Sequence, residues 1–138
     1  MIKHDDRRLQ LIRAALAAGQ AEAQADVRHL LPWQRLTIHL SPLIGETGFS
    51  ALYGRAARLQ SARHAWLTAP QASQSAEALL ATLQGDLMMA PHGTAAEANA
   101  ALLDTFTQLL AGLIGEALTI RLLVAAWGQG RDGAEEQK

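Results

Sequence analysis

No cysteine occurs in the chain. A disulfide framework, a thiolate nucleophile and any cysteine-ligated metal or iron–sulfur centre are thereby excluded. Apolar β-branched residues are scarce: two Val and six Ile stand against 28 Ala and 23 Leu in 138 residues. Strands draw on the chemistry that is missing, whereas Ala and Leu are among the best helix formers. An excess of either charge is also lacking, since twelve basic and thirteen acidic residues leave a formal net charge of −1. That balance argues against nucleic-acid binding by the chain as a whole. Asp104, Glu116 and Arg121 interrupt the longest apolar stretch, so no membrane span is expected. The opening Met1-Ile2-Lys3-His4-Asp5-Asp6-Arg7-Arg8 carries both charges and leads into no apolar run. It does not read as a signal peptide, and a cytoplasmic location follows by elimination.

What is present is an apolar pattern of helical period. It predicts an all-α bundle of four to six helices over residues 1–128, with two long central helices antiparallel, and a flexible tail over 129–138. A first helix is expected from a cap at Asp5 or Asp6 to about Ala18, stopped by Gly19. A short second helix, Glu22 to Leu31, ends against Pro32. Trp33, Leu36, Ile38 and Leu40 form a connector or the start of a helix, with Trp33 partly exposed. Ser41-Pro42 opens a long helix to Leu67. Ser73 or Ser75 caps the next helix, which reaches about Ala90. Thr94 and Glu97 fit a capping box at the start of a helix running to Trp127. Its apolar line is Leu102, Phe106, Leu109, Leu113, Ala117, Ile120, Val124 and Trp127.

The most specific local feature is a repeat: Leu43-Ile44-Gly45-Glu46 recurs as Leu113-Ile114-Gly115-Glu116. Beyond the tetrapeptide the flanks share little except apolar patterning. A glutamate on such a helix needs a partner if it is buried. The expected pairing is of Glu46 and Glu116 with Arg55, Arg58 or Arg121, as structural ion pairs or as the walls of a ligand site. Gly45, Gly48, Gly112 and Gly115 read as points of close helix approach; alternatively, Gly45–Gly48 marks a break near the start of its helix. Gly112 and Gly115, near Gln108, Glu116 and Thr119, form a small-residue surface able to receive a second subunit.

Motifs for chemistry are wanting. His4, His29, His39, His64 and His92 make no H-x-x-x-H or E-x-x-H spacing, so no metal or cofactor is expected. Gly45-Glu46-Thr47-Gly48 lacks the Gly-Lys-Ser/Thr ending of a phosphate loop, and no nucleophile elbow is present. No catalytic residue is assigned. Trp33, Phe49, Tyr53, Trp66, Phe106 and Trp127 are the aromatic candidates for an interaction face, or alternatively for the core. These features point to a non-catalytic interaction or regulatory module that binds itself as a homodimer or binds another protein. The alternative is a small-molecule or lipid-binding domain with a Glu/Arg-lined cavity.

Overall fold

A computed structural model describes residues 4–22, 29–68, 70, 75–91 and 93–128. These form a bundle of five helices with no strand among the described residues: α1 (His4–Glu22), α2 (Leu31–Ser61), α3 (Ala76–Met89), α4 (Ala95–Ile114) and α5 (Glu116–Leu123). A π-helical turn, Val124–Gly128, continues α5. Two helices depart from continuity, and both do so at the repeated tetrapeptide. Gly45 has φ 78° and ψ 166° inside α2. Gly115 has φ 96° and ψ 151° between α4 and α5. This backbone region is essentially reserved for glycine, because a Cβ is disfavoured there. Each Leu-Ile-Gly-Glu is therefore a helix breaker: of the two readings of Gly45–Gly48 the break is the one found, and the uninterrupted helix expected from Thr94 to Trp127 is corrected to a bent pair.

The bend at Gly45 is sharp. Trp33 precedes it by twelve residues and Tyr53 follows it by eight, yet their rings meet edge to face at 5.3 Å. In a straight helix, twenty residues would separate them by about 30 Å. The two bent units also share a burial register at a spacing of seventy residues. Trp33, Leu36 and Leu40 before the first break match Leu103, Phe106 and Leu110 before the second, and all six are buried. After the breaks, Phe49, Tyr53 and Ala57 match Thr119, Leu123 and Trp127, again all buried. The repeat thus extends far beyond four residues, as a pattern of positions rather than of residue types. The short helices are exchanged between the units: α1 packs principally on α4 and α5, and α3 on α2.

An aromatic cluster occupies the centre. Trp33 contacts Phe106 at 5.3 Å in a T-shape, and Phe49 lies 5.3 Å from Phe106 and 6.1 Å from Tyr53. Such geometries are favoured by the ring quadrupoles. The polar ends of the tryptophans are satisfied: Trp33 Nε1 donates to Asn99 Oδ1 at 2.8 Å, and Trp127 Nε1 to the Pro32 carbonyl at 3.0 Å. Asn99 Nδ2 in turn donates to the His29 carbonyl at 2.9 Å.

Several boundaries differ from expectation. α1 runs through Gly19 to Glu22. Pro32 opens α2 rather than ending a helix, since a proline in the first turn lacks only an N–H that has no intrahelical partner anyway. Ser41-Pro42 lies within α2, three residues before its break. The expected capping box does not form; the Thr94 hydroxyl donates to the Pro91 carbonyl at 2.8 Å instead. Ser75 does cap α3, its Oγ accepting from Ala78 N–H at 3.1 Å. Residues 23–28, the body of the expected second helix, and the tail 129–138 lie outside the described residues.

Candidate functional site

A polar seam joins α1 to α4 and α5. The sequence places Arg8 on α1 beside Leu11 and Ile12, one or two turns from core positions, so its stem is drawn into the bundle and the side chain is 4% exposed. Such a guanidinium must be matched. Arg8 Nη1 donates to the Asp104 carboxylate, to the Asp104 carbonyl at 3.1 Å and to Thr107 Oγ1 at 3.0 Å. Thr107 and Thr119 are buried, and each hydroxyl donates four residues back along its helix, to Leu103 O at 2.9 Å and Gly115 O at 2.8 Å. Gln108 Nε2 donates to Asp104 Oδ1 at 3.2 Å. The charges offset one another locally, and the seam fastens the first helix to the last unit.

Beside the seam opens a cleft of about 320 Å³, lined by Arg8, Gln108, Ala111, Gly112, Glu116, Thr119 and Ile120. Gln108, Gly112, Glu116 and Thr119 are neighbours as the helical spacing predicted, because the break at Gly115 keeps both helix ends at the same vertex. Arg8 and Asp104 were not legible as a pair: they are 96 residues apart, and Arg8 sits in a run of mixed charge. The cleft holds no aligned nucleophile and base; its chemistry is one guanidinium, one carboxylate and neutral hydrogen-bonding groups.

The other expected site residues disperse. Glu46 accepts from the Ala76 N–H at 3.0 Å, holding the first turn of α3, where the helix dipole favours a carboxylate. Glu116 occupies the matching place in the second unit, at the start of α5 and facing the cleft. Arg55, Arg58 and Arg121 are exposed, and the group that Glu46 holds is a backbone N–H rather than a guanidinium. The burial that compels pairing falls on Arg8. The glycines are corrected too. An added Cβ would meet nothing within 4 Å at Gly45, Gly112 or Gly115, so none marks a close helix approach within the protomer. At Gly48 the crowding comes from Ile44, just across the break, at 3.0 Å. Of the aromatic candidates, Trp33, Phe49, Tyr53, Phe106 and Trp127 are buried in the core, and only Trp66 is half-buried. Trp33 in particular is 0% exposed, because the residue after Pro32 lies on the inner face of α2 rather than in a connector.

Tyr53 has a clearly displaced titration. Burial pushes its hydroxyl well above the usual tyrosine value, with a smaller push from the Asp86 carboxylate. Among the described residues no helix is long and apolar enough to cross a membrane. The chain matches no family model, and comparisons with curated proteins and with solved structures return no match.

Proposed function

We propose that this chain is a non-catalytic protein-interaction module acting in the cytoplasm, and that its first partner is a second copy of itself. The observation that carries this reading is the vertex between α4 and α5. Six of the seven residues from Gly112 to Leu118 are exposed, with Leu113 at 61% and Leu118 at 40%. Gly112 and Gly115 add a surface without side chains between these leucines, open to close approach by another helix. The vertex of α2 repeats the arrangement, with Leu43 at 48% two residues before Gly45. Apolar residues held outward at equivalent places are costly in water and favour a covered state.

The test is solution mass across a concentration series by light scattering. The expected result is a mass near twice 14.8 kDa, reduced to 14.8 kDa by Leu113→Glu with Leu118→Glu while the melting of the protomer is retained. A mass of 14.8 kDa at every concentration removes the second copy as partner. The cleft beside Arg8 and Glu116 favours a second reading, a site for a small polar molecule. Free glycine and other small zwitterions raising the melting temperature, with the rise lost in Glu116→Gln, would support it.

A further inference from the structure

Thirty consecutive residues, 47–76, contain no acidic side chain. Three arginines fall within them, Arg55, Arg58 and Arg63, all exposed on the second arm of α2 and the turn that follows. They span about 12 Å along the helix axis. Of the nearby carboxylates, Glu46, which precedes the stretch, is committed to the Ala76 N–H, and Asp86, which reaches the turn after α2, to the N–H and hydroxyl of Thr68 at 2.8 and 2.9 Å, while Glu77 lies exposed in the first turn of α3. Arg58, in the last turn, is partly accounted for by the negative end of its own helix. Arg55, a turn earlier, is not.

Apolar residues are interleaved with this charge. Leu59, 52% exposed, lies between Arg58 and Arg63, and Trp66 is half-buried against His64 at 5.4 Å. Asp86 ties α3 to the 62–68 turn. Met89 follows it by three residues, hence on the same face of α3 and beside that turn, and it is 80% exposed. We infer that this Arg55–Arg63 surface, with Leu59, Trp66 and Met89, docks an acidic amphipathic helix of another protein. This inference rests on the interaction-module reading but uses a surface other than the α4–α5 vertex.

The chemistry selects a protein rather than another polyanion. Arginine, tryptophan and methionine are the residues enriched in protein interfaces, while lysine is depleted there. The chain carries ten Arg and two Lys, and none of the residues named for this surface is a lysine. A guanidinium fork matches a carboxylate in two parallel hydrogen bonds. Leu59 and Met89 require an apolar counterpart, which a helix with leucines on one face supplies.

The experiment titrates the full chain with a fluorescent synthetic helix of about five turns, leucine on one face and glutamate on the other, and with its lysine counterpart. Saturable binding of the glutamate helix is expected, weakened by added salt. Arg55→Glu with Arg63→Glu should weaken it about tenfold, the worth of two exposed charge contacts, while Arg13→Glu on α1 leaves it unchanged. Equal binding of the two helices, no binding, or indifference to the double variant overturns the inference. So does binding to phosphatidylglycerol vesicles in place of the peptide, which would assign the surface to lipid headgroups. The mass measurement is independent: a monomer that binds the glutamate helix keeps the module reading with a different partner, and a dimer that does not bind it loses only this surface.

Discussion

Replacing Gly115 by alanine adds one methyl group, and its effect is set by the backbone alone. The new Cβ would meet no neighbouring atom within 4 Å, so no packing is gained or lost. The residue would still have to hold φ 96° and ψ 151°, a conformation alanine avoids at a cost of about 1–3 kcal/mol. Gly85 provides the control. It lies inside α3, is exposed, and also has nothing within 4 Å of an added Cβ, but its φ is not positive. There the same methyl should stabilise by about 0.5–1 kcal/mol. A chain of 138 residues shifts its melting temperature by about 3–4 °C per kcal/mol. The two variants should therefore melt about 5–14 °C apart, Gly115→Ala below the parent and Gly85→Ala above it. Thermal unfolding followed by circular dichroism at one fixed protein concentration measures this directly. Gly45→Ala should behave like Gly115→Ala, since φ is 78° there. Variants at Gly115 and Gly85 that melt together, or a Gly115→Ala protein more stable than its parent, would refute the assignment of the tetrapeptide as a backbone break.

Asn99→Ala should destabilise by about 2–4 kcal/mol in urea unfolding, because Trp33 Nε1 loses its acceptor at a site with 0% exposure. Combining Asn99→Leu with Trp33→Phe should cost less than the sum of the two single changes, as both partners then become apolar. The single tyrosine provides a pH test. Tyr53 is raised in the folded state by burial, so the unfolded chain releases its phenolic proton first. The stability it contributes is complete below the ordinary tyrosine value near 10.0 and falls as pH rises above it. The phenolate absorption band should therefore grow together with loss of helix in alkali; growth of the band in a fully folded protein would contradict the burial.

The helical class was legible because Ala and Leu dominate and few β-branched residues compete. The cap at Ser75 was legible because it depends on atoms three residues apart. A break at Gly45–Gly48 was legible as one reading of glycines that are awkward inside a helix. The break at Gly115 was not. The apolar line keeps helical spacing through it, at Leu109, Leu113, Ala117 and Ile120. A continuous periodic line therefore hides a change of direction. It fails at Leu113, expected inward and found 61% exposed, and at Ala117, also exposed. The Leu-Ile-Gly-Glu repeat did mark the correct positions, but tertiary packing, not local spacing, decides that its glycine takes a positive φ. Glu46 and Glu116 were legible as a matched pair of positions, but the backbone N–H that Glu46 holds at the start of α3 lies thirty residues away and left no local signal. The buried cation is Arg8, and its anion is 96 residues away, beyond the reach of any local pattern.

The exchange of short helices between the two bent units has a kinetic consequence. Each helix can form from local contacts within about a microsecond. The contacts that fix their arrangement join distant parts of the chain: Arg8 to Asp104 across 96 residues, Pro32 to Trp127 across 95, and Trp33 to Asn99 across 66. Loop closure over such separations precedes the gain from the contacts it permits. Assembly should thus be paced by the meeting of the chain's two ends rather than by the formation of its helices.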